Sequence, residues 1–349
     1  MIKRTLERLR NRSPKRVLIF GAYANGNLGD AEQAASVVRH LRAYSPDLEI
    51  VTASHSVANR LYYPDDAKVA RNLRDIRDPE FVNSFDVLLV GGGGLLAAKH
   101  KPLENDEWLA SINIPIVVFG VGANQEISEL CSGLLKKAAI VTVRDQFSLD
   151  AVKPIRADVF IMRDPILMDR NLDRPFTDRP NPKRLGVIPR KLNRGSVERY
   201  YKSVGAQMLK RDAVITFFPD TDKNSGALDC FEGARVVPTT EMCSFHDAVL
   251  DMSVILSDRY HGCILGLKSG VRTLPLYREK IDLSSKIYAL YCDLGIADQL
   301  YAANPVETRN QNFDLAERVI DPLKVQEVFK SWYDEFERTS KKIFKDINI

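Results

Sequence analysis

Short, nearly unbroken apolar runs alternate with helically spaced stretches from Arg16 onward. The runs RVLIFG (16–21), LEIVTA (48–53), DVLLV (86–90), PIVVFG (115–120) and AIVTV (139–143) have the length and β-branched content of strands. They are apolar at consecutive positions, so they predict strands covered on both faces, as in a parallel sheet. The segments 30–44 and 128–138 carry helical periodicity between them. The alternation pauses at 163–184, RDPILMDRNLDRPFTDRPNPKR, where four prolines and many charges predict a linker. It restarts with strands expected at 185–189, 213–218, 234–237, 253–257 and 272–277. A last helix is expected over 322–345, with Val325, Val328, Phe329, Trp332 and Phe336 on one face. The pattern predicts two doubly wound α/β halves facing a central cleft, with ligands at the carboxyl ends of the strands. The expected division is a basic extension over 1–15, a first domain over 16–165, a linker over 166–184, a second domain over 185–305 and terminal helices over 306–349 that pack back on the first domain.

The 349 residues are 45% hydrophobic and 28% charged, enough for two cores. No stretch approaches the roughly 18 apolar residues of a membrane span. The first sixteen residues carry seven Lys or Arg and no apolar signal core, so a cytoplasmic protein is expected. A net charge of +4, with no nucleic-acid-binding motif, argues against a nucleic-acid partner. The five cysteines show no metal-ligand spacing, and several read as buried thiols. Ile2, Leu6 and Leu9 share a helical face in the basic N-terminus, which reads as a solvated surface helix or as a peripheral contact with anionic lipid.

Chemistry gathers where strands end. After the first strand, GNLGD places Asn27 and Asp30 before a helix, with Asp30 expected as its N-cap. A turn with a cap and a loop facing a ligand both fit this stretch. GGGG (91–94), containing Gly92, Gly93 and Gly94, implies that something approaches the main chain closely, either a neighbouring element or a substrate. The run FGVGA repeats the theme at Gly122, and three glycine-rich strand ends on one cleft point to a binding site. Arg144 and Asp145 end the next strand. Asp145 is expected to cap a helix through Ser148, and Arg144, a cation at a helix N-terminus, calls for an anionic partner. Arg190 ends the first strand of the second half, where a surface salt bridge is the simpler reading. In SDRYHG (257–262), Ser257 suits a helix cap, Arg259 suits phosphate or carboxylate, and His261 suits proton transfer. Lys286 opens a later helix. Arg144, Arg259, Lys286 and His261 together predict a cationic site for a small, multiply charged anion, with no metal cluster and no cofactor.

The ordered set GNLGD, GGGGLL, VRDQFSLD, IPR and SDRYHG, followed by SGVRTLPL and Lys286, resembles the polysaccharide pyruvyl transferase family over about residues 16–300. That resemblance implies a GT-B-like fold of two Rossmann-like domains. It implies transfer of the pyruvyl unit of phosphoenolpyruvate onto two hydroxyls of a sugar, in a cell-surface polysaccharide or its precursor, free or lipid-linked, with release of phosphate. By the same resemblance Arg144, Arg259, Lys286 and Ser257 would bind phosphoenolpyruvate. His261 would be the acid/base residue, with Arg259 beside it as the second catalytic residue. The loops bearing Asn27, Asp30, Gly92, Gly93, Gly94, Gly122 and Arg190 would shape the acceptor side. Two rivals remain at this stage. One is a GT-B glycosyltransferase using a nucleotide-sugar donor, for which Glu279 is the nearest ribose partner. The other is a non-catalytic envelope scaffold, which would not need this charged set.

Overall fold

Seven strands form one wholly parallel sheet: β1 (Arg16–Gly21), β2 (Glu49–Ser54), β3 (Lys68–Val69), β4 (Val87–Gly91), β5 (Ile116–Val121), β6 (Ile140–Val143) and β7 (Phe160–Ile161), in the order β3-β2-β1-β4-β5-β6-β7. Five more form a second parallel sheet: β8 (Leu185–Ile188), β9 (Ala213–Phe217), β10 (Arg235–Pro238), β11 (Val254–Ser257) and β12 (Arg272–Pro275), in the order β10-β9-β8-β11-β12. The computed structural model describes residues 15–21, 23, 27–54, 68–69, 76–99, 102–175, 184–189, 213–217, 233–238, 242–249, 252–275, 286–297 and 322–349. The two short strands β3 and β7 escape the sequence pattern, because two residues hold no periodicity. All residues of β4 and β5 are buried, which is why their sequences run apolar without alternation.

The helices are α1 (Leu28–Tyr44), α2 (Pro79–Asn83), α3 (Asp106–Ser111), α4 (Gln125–Leu130), α5 (Ser132–Lys137), α6 (Gln146–Val152), α7 (Met242–Val249), α8 (Tyr260–Lys268), α9 (Lys286–Asp293) and α10 (Pro322–Asp346). The helix expected over 128–138 is two helices that meet at Cys131. In both sheets the strand order reverses beside the first strand, between β1 and β4 and between β8 and β11. Such a reversal opens a crevice at the carboxyl ends, where ligands bind in doubly wound folds.

α10 touches both halves. Phe336 and Phe344 lie 6.0 and 5.9 Å from the ring of Phe119 on β5. On the other side, Lys324 donates to Gly295 O at 3.2 Å, and the Tyr333 hydroxyl meets Lys268 Nζ of α8 at 2.8 Å. Lys268 is fully buried and also reaches Asp173 at 2.6 Å and Leu167 O at 3.0 Å.

The first part of the expected linker is packed chain. Asp164, Ile166, Leu167, Met168 and Asp169 are buried. The apolar residues of PILM fill the core beneath α10, and the flanking aspartates are held by bonds rather than by water. Asp169 Oδ2 accepts from Arg39 Nε at 2.6 Å, and Asp164 is held as described below. Among the cysteines, Cys131 and Cys263 are buried and their thiols are pushed up to about 12, mainly by burial. Cys243 and Cys292 are exposed. No helix among the described residues is long and apolar enough to cross a membrane. The N-terminal segment 1–14, Cys230 and Glu279 lie outside the described residues.

Candidate active site

His261 sits in the first turn of α8, on the second sheet, yet its neighbours belong to the first. Its Nδ1 is 3.5 Å from Asp30 Oδ1 of α1, and its Nε2 is 3.7 Å from Asp164 Oδ2, just beyond β7. The ring is 6% exposed, and Nε2 has no hydrogen-bond partner among the described residues. The ring packs directly on the α1 backbone: a Cβ built on Gly29 would lie 2.5 Å from His261 Cγ. Only glycine at position 29 lets α8 approach this closely.

Arg144 follows β6 and is almost fully buried. Its Nε donates to Asp145 Oδ2 at 3.1 Å, and its Nη1 lies 3.8 Å from Asp164 Oδ2. The guanidinium carbon stands 4.6 Å from the centroid of Tyr260, which comes from the second half. Burial opposes the charge on Arg144, but Tyr260, Asp145 and Asp164 outweigh it and hold the pKa above its usual value. Burial drives the Tyr260 hydroxyl well above its ordinary range, and Asp164 adds to the effect. Gly122 makes room for the guanidinium, since a Cβ there would lie 2.8 Å from Arg144 Nε and nearer still to Cζ.

Asp164 joins the two groups. Burial alone would raise its carboxyl. His261, Arg144 and the Ile166 N–H overcome burial and hold it below the usual carboxylate range. Gln33 of α1 donates to Asp164 Oδ2 at 2.9 Å. Gly92 and Gly93 explain themselves here: both have positive φ (73° and 74°), and a Cβ on Gly92 would lie 2.7 Å from Gln33 Cγ. The element that approaches Gly92 and Gly93 in this structure is the Gln33 side chain. The loop is further zipped to the end of β5, where Gly122 N donates to Gly93 O at 2.7 Å. Gly94 closes a turn, with its carbonyl accepting from Ala97 N at 3.0 Å.

Two expected caps are different residues. Asn27, not Asp30, caps α1: its side chain accepts from Gly29 N at 3.0 Å, while its Nδ2 donates to Asp30 Oδ2. Asp30 therefore stands in the first turn of the helix, facing His261. Ser257 does not cap α8 either. Its hydroxyl accepts from Arg259 N at 3.1 Å and lies 3.2 Å from Ile188 O, tying β11 to β8, because the chain makes one more bend before the helix begins. The N-cap of α8 is Arg259, and no side chain caps the helix. Asp145 does cap α6, accepting from Ser148 N at 2.8 Å.

Lys286, the first residue of α9, is exposed, with its ammonium 5.4 Å from the Tyr260 ring. Arg144, His261 and Lys286 thus lie around the Tyr260 ring, and Arg259 precedes Tyr260 at the N-cap of α8. The site is not simply cationic, however. Asp30, Asp145 and Asp164 interleave with the cations. Arg190 lies outside the described residues. Among the described residues no His, Cys, Asp or Glu group could hold a metal ion. Asp164 and Gln33 were missed in the sequence. Asp164 lies in a charged, proline-rich stretch that reads as linker. Gln33 left one trace, a polar residue four positions before Val37 on the apolar face of α1.

The family model for polysaccharide pyruvyl transferase matches residues 27–280. No curated protein matches the chain. Among solved structures the chain is similar to the S. aureus MnaA protein solved with UDP, with TM-score 0.57 at 12% identity, covering 92% of this chain and 97% of that one. It is similar to the UDP-GlcNAc 2-epimerase of Neisseria meningitidis, with TM-score 0.52 at 11% identity, covering 91% and 98%. It is also similar to the lipopolysaccharide outer core galactosyltransferase WaaB, with TM-score 0.54 at 10% identity, covering 95% and 98%. At such identities these likenesses speak for the fold alone, and the fold is GT-B: two parallel-sheet α/β domains.

Proposed function

The chain belongs to the polysaccharide pyruvyl transferase family, and from that premise we propose that it moves the pyruvyl unit of phosphoenolpyruvate onto two hydroxyls of a sugar. The products are a cyclic ketal and phosphate. The observation that carries this reading is the N-terminus of α8. No side chain caps it, Arg259 stands at its N-cap and His261 lies in its first turn. A helix N-terminus favours negative charge, and a cation placed there adds to the demand for an anion. Arg259 and Lys286 take the phosphate and carboxylate of the donor, and Arg144, held by Asp145 and Asp164, adds positive charge at the inner wall. Ser257 shapes the turn that presents Arg259.

In the reaction His261 delivers a proton to the methylene carbon of phosphoenolpyruvate. The cation that develops at C2 is captured by one sugar hydroxyl, whose proton passes back to His261. The second hydroxyl displaces phosphate at the same carbon, and its proton leaves with the phosphate. Fixed positive charge lowers the barrier by stabilising the departing phosphate. The acceptor approaches over the carboxyl ends of β1, β4 and β5, where Asn27, Asp30 and Gly94 lie; Gly92, Gly93 and Gly122 serve it indirectly, through Gln33 and Arg144. The acceptor belongs to a cell-surface polysaccharide or its precursor, made at the cytoplasmic face of a membrane. The basic segment 1–15 would hold the enzyme there.

Thermal melting with phosphoenolpyruvate, beside phosphate, UDP and GDP, tests the donor. A ligand at a hundred times its Kd stabilises by about 2.7 kcal/mol, or several degrees. Phosphoenolpyruvate should shift the melt beyond phosphate, and Arg259→Ala should remove most of that shift. A shift only with a nucleoside diphosphate would overturn the reading in favour of glycosyl transfer.

A further inference from the structure

We propose that Asp164 is the positioning residue of this site: from the first domain it orients the imidazole of His261 through Nε2, leaving Nδ1, on the Asp30 side, as the nitrogen that exchanges protons with substrate. The inference rests on His261 being the acid–base group, and goes further by naming the working nitrogen.

Two buried donors converge on one oxygen. His261 Nε2 and Arg144 Nη1 lie 3.7 and 3.8 Å from Asp164 Oδ2, and neither has a hydrogen-bond partner among the described residues. Buried polar groups are almost always satisfied, so two such donors aimed at one carboxylate mark a built cluster that tightens when loaded. Asp164 itself is immobilised. Its side chain is 0% exposed, its Oδ1 accepts from Ile166 N at 3.0 Å and its Oδ2 from Gln33 Nε2 at 2.9 Å.

The two sides of the imidazole are unequal. Asp30, facing Nδ1, is 19% exposed at its side chain and is held by Asn27 at the mouth of α1. Asp164 is sealed beneath the ring. The Nδ1 edge is bordered by a partly exposed carboxylate and by the Gly29 backbone, so substrate reaches it by displacing Asp30 and easing α1 off the ring, whereas the Nε2 edge is closed by a carboxylate with no exposure. A carboxylate that keeps the proton on one ring nitrogen sets the tautomer and aims the other nitrogen at the reaction. Among the described residues Tyr260 also faces the ring, at 5.3 Å, and through it Arg144 and Lys286. The glycine run acquires a second-hand role. A side chain on Gly92 would push Gln33 aside and release Asp164. Because His261 rides on α8 and Asp164 on the other domain, the oriented imidazole is assembled from both halves of the chain.

The test is nitrogen-15 NMR of histidine-labelled protein. The chain has five histidines, and His261→Gln identifies the His261 signals. In the wild type the neutral ring of His261 should carry its proton on Nε2. In Asp164→Asn the two tautomers should mix, and kcat should fall by about 10²–10⁴-fold with the donor KM changed by less than about threefold. Gln33→Met keeps the volume, loses only the anchor, and should move both readouts the same way by a smaller amount, which keeps the test alive if Asp164→Asn folds poorly. A wild-type ring protonated on Nδ1, or variants with unaltered ring signals and turnover, would overturn the proposal. Ring signals that change as described in a protein that never consumes phosphoenolpyruvate would uphold Asp164 and discard pyruvyl transfer.

Discussion

Gly29→Ala separates stability from function at this site. In an exposed helix the change would stabilise by about 1 kcal/mol, because glycine is the costlier helix residue. Here the new Cβ would lie 2.5 Å from His261 Cγ and closer still to Nδ1 and Cβ. Carbon atoms rest at about 3.5–4.0 Å, so the ring must retreat by roughly 1 Å. A rotamer change does not suffice, because His261 Cβ is itself in the clash and hangs directly from the α8 backbone. The whole N-terminus of α8 has to move. Such overpacking costs about 1–3 kcal/mol, which largely cancels the helix gain, so the melting temperature should stay within a few degrees of wild type. Catalysis should not be spared, since a misplacement of about 1 Å costs on the order of 10²-fold. The assay is phosphate release from phosphoenolpyruvate with acceptor, run beside a thermal melt. A variant with normal turnover and a raised melting temperature would refute the reasoning, because α1 and α8 would then not touch in the working enzyme.

Other outcomes follow from the same geometry. Gly122→Ala should displace the Arg144 guanidinium and lower kcat/KM for the donor by about tenfold or more; unchanged kinetics would show that Arg144 has room to spare. Lys268→Ala removes a fully buried side chain but leaves Asp173 with 38% side-chain exposure and the Tyr333 hydroxyl, so urea unfolding should report a loss of about 2–4 kcal/mol, and a loss below about 1 would dismiss the tie to α10. His246 is lowered from 6.5 to about 4, chiefly by burial, and half-buried His40 is lowered too, mainly by desolvation. The unfolded chain then binds more protons, so stability present above pH 6.5 is lost as the pH falls towards 4. Asp164 and Asp169 are depressed below 3.8, so their contribution survives that window and is lost only at lower pH. Melting against pH should show both stages, and His246→Gln should flatten the first. Deleting residues 1–13 should reduce sedimentation with anionic vesicles, and no change would retire the membrane contact.

Local patterning determined a great deal. Every strand longer than two residues in the described parts coincides with an apolar run in the sequence, and for all of these but the edge strand β10 the reason is burial on both faces, which leaves room for little else. Asp145 as a cap, and the approach of Arg144, His261 and Lys286 to one another around Tyr260, were also readable, since doubly wound folds bring strand ends together. The exchange of Asp30 for Asn27 as cap was not, because both side chains suit an N-terminus and the choice falls to the residue that can reach Gly29 N. Asp164 and Gln33 were invisible for a deeper reason. Neither has a local partner that explains it. Each is defined by a group 97 or more positions away: Asp164 by His261, Gln33 by Asp164. The glycines tell the same story, since the sequence said only that something comes close to Gly92, and the tertiary structure decided that it is Gln33. Periodicity in the chain reports which faces are buried. Which buried polar groups meet is settled only when two domains close on each other, because hydrogen bonds and ion pairs depend on ångströms that no spacing along the chain records.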